Sequence, residues 1–211
     1  MRIVTKVIKV FDVDDVRNYE FLKEKVLAKH RDFNVYFNDW HDGVLDHCKE
    51  QLKGYGFWGV DISYIGFGSQ GNGASFTADG LYWLTFAKQF QEDIGITARE
   101  LKMLAALDDD YDLFEFSVKR RTGCRYYHED SVYVDSNEYL YNFEKSYPRL
   151  WKRLYDIYES LNNVLEDYVQ KWNIEIYRAL EEEYYYLISD EAVLESLDNV
   201  GYEFLEDGTL Y

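Results

Sequence analysis

Cysteine and proline are scarce in this chain of 211 residues, and each shortage excludes a class of protein. The two cysteines, Cys48 and Cys124, are far apart and form no CxxC pair, so the disulfide framework of a small secreted domain is excluded. The chain has one proline, Pro148, and no internal repeat or low-complexity tract that would indicate a flexible linker. We therefore expect a single domain over residues 1–211.

Long hydrophobic runs are also missing. No apolar run approaches the roughly 18 residues that a membrane helix requires. The start of the chain, MRIVTKVIKVF, alternates charged and apolar residues and lacks the apolar core of a signal peptide. We expect a soluble, cytoplasmic protein with no membrane partner.

Positive charge is the third shortage. The chain has 23 Lys and Arg against 40 Asp and Glu, and its net charge is -17. Direct nucleic-acid binding through a basic surface is excluded, because phosphate contacts need clustered Lys and Arg. Two interpretations stay open. The acidity provides solubility, or it presents carboxylates to a basic partner, including a protein that normally holds DNA or RNA.

Hydrophobic residues make up 47% of the chain, enough for a real core. The β-branched, alternating run Ile3–Val10 predicts a strand. Asp12–Asp15 supplies helix-start side chains, so a helix is expected from there to His30. A second helix is predicted over His41–Lys53, ending at Gly54 in the left-handed conformation.

Four more strands are predicted in the middle of the chain. The runs Val60–Gly68 and Ala74–Leu84 flank Ser69–Gly73, where Asn-Gly is a strong hairpin signal. The runs Leu113–Arg120 and Tyr126–Asp135 flank a second turn. With the first strand these make about five, and we expect one antiparallel sheet packed with helices, an α+β fold.

Helical patterns dominate the rest of the chain. Thr97 and Glu100 form a capping-box pattern for a helix to Leu107, which the acidic run Asp108–Asp110 is expected to end. From Pro148, apolar residues recur every three or four positions over some 40 residues, which predicts a long amphipathic helix. Ser189 begins another short helix. Residues 148–198 are thus expected to be helical and strongly acidic, and a coiled-coil homo-oligomer stays open.

Negative charge is concentrated at the C-terminal end. No Lys or Arg follows Arg178. The acidic residues beyond it are Glu181, Glu182, Glu183, Asp190, Glu191, Glu195, Asp198, Glu203, Glu206 and Asp207. The first seven of these are the candidate contacts to a basic partner protein.

The glycine-rich stretch Gly66–Phe76 has the composition of a phosphate-binding loop but not the pattern. A P-loop needs GxxxxGK[ST] before a helix, whereas Gly73 is followed by a strand-like run and no Lys. We expect a turn between two strands, in which Ser and Asn side chains cap their own backbone. The alternative is a small-ligand or nucleotide site formed by Ser69, Gln70, Gly71, Asn72, Gly73, Ser75 and His128.

No motif for catalysis or metal binding is found. No GxSxG elbow is present, and no spacing brings a Ser or Cys nucleophile to a His. A metal site from His41, His47 and Cys48 is disfavoured, because positions 41 and 47 do not share a helix face. The leading interpretation therefore has no catalytic residue, metal or cofactor, and an enzyme is kept as the alternative.

Three segments carry a resemblance to a known family. Tyr64–Phe76 resembles a box, Y-S-G-F-W-S-Q-G-D-G-A-S-F, of a family of tailed-bacteriophage proteins. Arg125–Glu129 and Leu180–Ala192, followed by Tyr202–Gly208, are similar to further segments of it. Gly68 replaces a large residue of the box, and Asn72 replaces its Asp, which weakens any acid-base or metal role for the loop.

The resemblance implies a phage-encoded protein that acts in the cytoplasm of the infected bacterium. Many family members carry the label "antitoxin of toxin-antitoxin stability system". With the acidic C-terminal part, this favours a non-enzymatic host-interaction or anti-defence protein that imitates the charge of nucleic acid toward a basic host protein. The alternatives are a ligand-binding loop, as above, and an antitoxin that neutralises a basic toxin.

Overall fold

The computed structural model describes residues 7–37, 39–69 and 71–211. Its helices are α1 (Val13–Asn18), α2 (Glu20–His30), α3 (Asp42–Gly54), α4 (Trp83–Gln89), α5 (Gln91–Ile94), α6 (Ala98–Tyr111), α7 (Tyr141–Ser146), α8 (Pro148–Leu187) and α9 (Asp190–Val200). Its strands are β1 (Val10–Phe11), β2 (Phe57–Trp58), β3 (Asp61–Ile65), β4 (Gly73–Thr77), β5 (Gly80–Leu81), β6 (Phe114–Arg120), β7 (Val132–Glu138) and β8 (Phe204–Leu205). The expected mixture of helices and strands is confirmed.

The strands pair in antiparallel twos, so the expected single sheet of five strands is wrong. β1 pairs with β8, β2 with β5, β3 with β4 and β6 with β7. An isolated bridge joins Ala78 to Val118. The run Ala74–Leu84, predicted as one strand, is divided into β4, β5 and the start of α4, because the chain turns into a helix at Trp83. The strands β4 and β5 that result from this division are too short for a continuous sheet.

The contacts divide the chain into two compact units. The first combines the N-terminal part up to Gly43 with the residues from Leu180 onward, and the second is Val44–Ala179. The helix α8 contributes residues to both units. The single domain expected from the sequence stays a prediction. None of the helices in the described ranges is long and apolar enough to cross a membrane.

The first unit is built from α1, α2 and α9 around one apolar cluster. Its side chains include Val16, Leu22, Val26, Val193, Leu197 and Phe204, all fully buried. Asp12 accepts a hydrogen bond from the Asp15 N–H and caps α1, and Ser189 caps α9 through the Ala192 N–H, as predicted. The predicted helix to His30 is interrupted at Tyr19, which takes an extended backbone conformation.

The second unit is organised by the long helix α8. Leu154, Ile157, Leu161, Leu165 and Ile176 are buried along one side of it, which confirms the predicted amphipathic helix. Two side-chain amides of the helix also bond to strands. The Asn173 side-chain oxygen accepts a hydrogen bond from the Phe76 N–H of β4 at 3.0 Å. The Asn162 side-chain oxygen accepts one from the Ser136 hydroxyl of β7 at 2.8 Å.

Several predicted element ends are wrong. In the predicted strand Ile3–Val10, residues 3–6 lie outside the described residues. Val7 and Ile8 are exposed and lie outside any strand, because β8 offers partners only to Val10 and Phe11. The strand predicted from Tyr126 begins at Val132, since a 3-10 turn occupies Glu129–Ser131.

Two predicted helix ends are also wrong. The acidic run does not end α6, because the Asp108 carboxylate forms hydrogen bonds inside the unit. It accepts hydrogen bonds from the Trp83 indole N–H at 3.1 Å and from the Leu113 N–H at 2.8 Å. The helix continues to Tyr111 and ends at Asp112 in the left-handed region, with φ +47°. Gly54 is the last residue of α3, and the left-handed glycine is Gly56, with φ +102°.

Gly73, the first residue of β4, is expected to tolerate no side chain. An added Cβ would lie 2.5 Å from the Tyr127 carbonyl oxygen, which is backbone and cannot rotate away. Gly73→Ala should lower the free energy of unfolding by about 1–3 kcal/mol in urea titrations followed by circular dichroism. Gly54→Ala is the control, because its Cβ meets open space, and its change should stay within about 0.5 kcal/mol. Equal losses in both variants would contradict this explanation.

Candidate functional site

The glycine-rich loop closes the β3–β4 hairpin and is held by hydrogen bonds between its own residues. The Ser69 hydroxyl donates a hydrogen bond to the Asn72 side-chain oxygen at 2.8 Å, and the Asn72 N–H donates to the Ser69 carbonyl oxygen at 3.2 Å. The predicted hairpin is therefore confirmed. Its left-handed turn position is Gly71, with φ +93°, and not the predicted pair Asn72-Gly73. Gln70 lies outside the described residues. The loop geometry is that of a self-capped turn.

Ser75 and His128, the other residues of the alternative ligand site, meet through a third residue. Ser75 is 3% exposed in β4, and its oxygen lies 3.1 Å from the buried hydroxyl of Ser131. The same hydroxyl contacts the His128 carbonyl oxygen at 2.6 Å. The His128 ring nitrogen Nδ1 accepts a hydrogen bond from the Asp130 N–H and thereby caps the short 3-10 turn. These groups join β4 to the segment before β7.

Two of the seven predicted acidic contacts have cations within the first unit. Asp190 forms ion pairs with Arg31 and with Lys23, the latter at 3.2 Å. Hydrogen bonds, first from Arg31 and then from Lys23, lower the pKa of this carboxyl group against the opposing effect of burial. Asp198 lies 3.1 Å from Arg17. These pairs join α9 to α1 and α2, so both carboxylates are already engaged in the fold.

The other five carboxylates have no ion pair with a described residue. They are Glu181, Glu182, Glu183, Glu191 and Glu195, of which Glu181 and Glu183 are half-buried, and we call the set the acidic face. Glu191 and Glu195 are exposed one helical turn apart on α9, opposite its buried residues. Glu182 is exposed on α8, where Tyr185 and Tyr186 follow it three and four positions later and are exposed as well. The acidic face therefore combines free negative charge with accessible tyrosines.

A cavity of about 680 Å³ in the second unit is a feature that the sequence did not reveal. It lies between α3, the segment around Phe90 and the middle of α8. Its lining residues are His47, Cys48, Gln51, Tyr55, Phe90, Asp93, Val164, Asp167, Tyr168, Lys171, Trp172, Glu175 and Ala179. Val164, Tyr168 and Trp172 belong to the apolar pattern of α8, and nothing in the sequence indicates that a cavity opens beside them.

The two groups of this cavity with perturbed acidity are both held in their neutral forms. Burial raises the pKa of the Cys48 thiol, which disfavours the nucleophilic thiolate. Burial, with the neighbouring Tyr55, also raises the pKa of Tyr168 far above its ordinary value. Among the described residues no group of three or more His, Cys, Asp or Glu could hold a metal ion. The cavity is large enough to bind a small molecule, but it presents no activated nucleophile.

Comparison with known proteins gives one match. A family model described as "Domain of unknown function (DUF8835)" matches residues 40–190, which is well over half of the chain. The matched range contains the whole cavity and part of the acidic face. No curated protein and no solved structure matches the chain.

The division of the carboxylates into paired and free ones has a measurable consequence. Asp190→Asn should lower the free energy of unfolding at pH 7 by about 0.5–1 kcal/mol, because a neutral amide loses the attraction to Arg31 and Lys23. The folded-state pKa of Asp190 lies below its unfolded value of about 3.9. This stabilisation is therefore present above about pH 4 and is lost as the pH falls through the folded pKa.

Glu191→Gln is the matched control, because Glu191 lies in the same first turn of α9 and shares the favourable helix dipole without an ion pair. Urea unfolding at pH 7 and at pH 3 measures both variants. Asp190→Asn should lose more stability than Glu191→Gln at pH 7, and the difference should shrink at pH 3. Equal losses at pH 7 would show that the ion pairs contribute nothing.

Proposed function

We propose that this chain, which belongs to the DUF8835 family, is a non-enzymatic protein that binds a basic host protein through its acidic face. The partner is one that normally handles nucleic acid, and the carboxylates imitate the charge of that ligand. The protein is phage-encoded and acts in the cytoplasm of the infected bacterium against a host defence factor. The similarity of Tyr64–Phe76 to the tailed-phage box supports this setting.

The observation that carries the proposal is the separation of paired from unpaired carboxylates. Asp190 and Asp198 are neutralised inside the unit, whereas the acidic face keeps its five charges. No Lys or Arg follows Arg178 in the sequence, so the local field is not cancelled along the chain. A surface needed only for solubility works with both signs of charge, whereas a single-sign patch attracts a partner of the opposite sign.

The spacing of the charges suits imitation of nucleic acid. Glu191 and Glu195 are four residues apart, a rise of about 6 Å along α9. A DNA strand carries one phosphate per roughly 3.4 Å of axis, so the spacing of this pair is of the same order as the spacing of phosphates along a strand. Exposed Tyr185 and Tyr186 add the aromatic contacts that protein interfaces favour. Charge would speed the encounter, and the tyrosines would contribute contact area.

The ligand-binding loop has less support than the acidic face. Ser69 and Asn72 bind each other, Ser75 is buried beside Ser131, and the His128 Nδ1 caps a turn. A nucleotide would have to displace these internal hydrogen bonds. The same groups are explained without a ligand as the contacts that hold the hairpin in place.

Charge reversal of the acidic face tests the proposal. The tagged chain is used to retain proteins from bacterial lysate at low and at high salt, with identification by mass spectrometry. We expect a basic, nucleic-acid-handling protein that is lost as salt rises and is released by duplex DNA. The triple variant Glu182→Lys, Glu191→Lys, Glu195→Lys should weaken its capture about tenfold or more and make the residual binding less salt-dependent.

The control variant changes the same number of charges in the second unit. Glu92→Lys, Asp109→Lys and Asp110→Lys replace exposed carboxylates that form no ion pair with described residues. This variant should retain the partner as the unchanged chain does. Equal weakening in both triple variants would mean that net charge alone matters, and unchanged capture by the first would contradict the acidic face as the binding surface.

A further inference from the structure

The floor of the cavity in the second unit is formed by aromatic rings. Tyr55 and Tyr168 have ring centroids 5.0 Å apart, and Phe90 lies 5.2 Å from Tyr168. Trp172, one turn further along α8, lies 6.0 Å from Tyr168. Aromatic rings of this kind bind apolar groups, and their faces attract cations. The cavity volume, about 680 Å³, lies in the range typical of small-molecule sites.

The mouth of the cavity is negatively charged. Asp93, Asp167 and Glu175 line the cavity and are exposed, and the lining contains one ammonium group, that of Lys171. Glu175 also lies 3.9 Å from the Arg178 guanidinium, so three carboxylates stand against two cations. The imidazole and amide at the edge, those of His47 and Gln51, are joined by a hydrogen bond of 2.8 Å. Carboxylates therefore exceed cations at the opening, which disfavours phosphate-bearing ligands and favours positively charged ones.

One polar group lies among the rings. Tyr168 is 8% exposed, and its hydroxyl interacts with Tyr55 and Trp172. Phenylalanine would fill the same space without a polar atom. The hydroxyl is therefore a polar atom on an otherwise aromatic floor, where a ligand can contact it.

We propose that the cavity binds a small organic cation, an amine or quaternary ammonium compound with an apolar or aromatic body. The body packs against Tyr55, Phe90, Tyr168 and Trp172, and the positive charge lies near Asp93, Asp167 and Glu175. This site is separate from the acidic face and concerns a small molecule instead of a protein. The aromatic floor distinguishes it from the general negative charge of the chain, which would attract a cation anywhere without selecting its body.

Three small probes of similar size and different charge test the proposal. Benzyltrimethylammonium, benzyl alcohol and benzoate are titrated into the full chain, and the NMR signal of the Trp172 indole N–H is followed. We expect a saturable shift with benzyltrimethylammonium and at least tenfold weaker binding of the other two. Equal binding of benzoate, or no saturable shift with the cation, would overturn the proposal.

Variants locate the binding and separate it from folding. Asp167→Asn with Glu175→Gln should weaken binding of benzyltrimethylammonium about tenfold, because two attracting charges are lost. Asp110→Asn with Asp156→Asn removes the same charge from exposed positions outside the cavity lining, and should leave the affinity unchanged. Equal affinities for the two double variants would contradict a site at this mouth.

Tyr168→Phe tests the buried hydroxyl. The variant keeps the ring and removes only the hydroxyl, so it should lower the melting temperature only slightly while weakening binding of benzyltrimethylammonium severalfold. A melting temperature lowered by several degrees with unchanged affinity would show that the hydroxyl serves the fold, and would remove it from the site.

Discussion

The apolar stripe of α8 is the constraint on which the second unit depends. Six aliphatic side chains from Leu154 to Ile176 are almost fully buried along this helix, and each contributes about 1.5–3 kcal/mol of transfer free energy as an upper estimate. In proteins most of the stability of a helix comes from packing of its apolar face and not from its intrinsic propensity. Within the second unit this helix positions Asp167, Tyr168, Lys171, Trp172 and Glu175 along the cavity.

The carboxylates that give the chain its strong negative charge have two different roles. Some carboxylates hold elements together, as Asp190 does with Arg31, Asp198 with Arg17 and Asp108 with the Trp83 indole. Others form no ion pair with a described residue and contribute only a field. The distinction matters because a carboxylate committed to an internal pair has little attraction left for a partner, whereas a free one keeps it. The proposed recognition surface is therefore smaller than the ten acidic residues after Arg178 indicate.

Local patterns were predictable from the sequence, and distant arrangements were not. The capping box of Thr97 and Glu100, the N-cap at Ser189 and the period of α8 depend on neighbours within a few positions, and all three are confirmed. The end of α6 was missed, because Asp108 finds its partner at Trp83, 25 positions away. The ion pairs of Asp190 and the cavity depend on where separate elements come to rest, which residue spacing does not encode.

Zero-length cross-linking is the measurement that tests the acidic face most directly. A carbodiimide joins a carboxylate to a lysine in contact with it, so the cross-linked peptides of the complex with a captured host protein identify the carboxylates at the interface. The proposed function predicts links from Glu182, Glu191 or Glu195 to lysines of one basic protein, in the groove where that protein holds nucleic acid. Links confined to carboxylates of the second unit, such as Asp109 and Asp110, would contradict it.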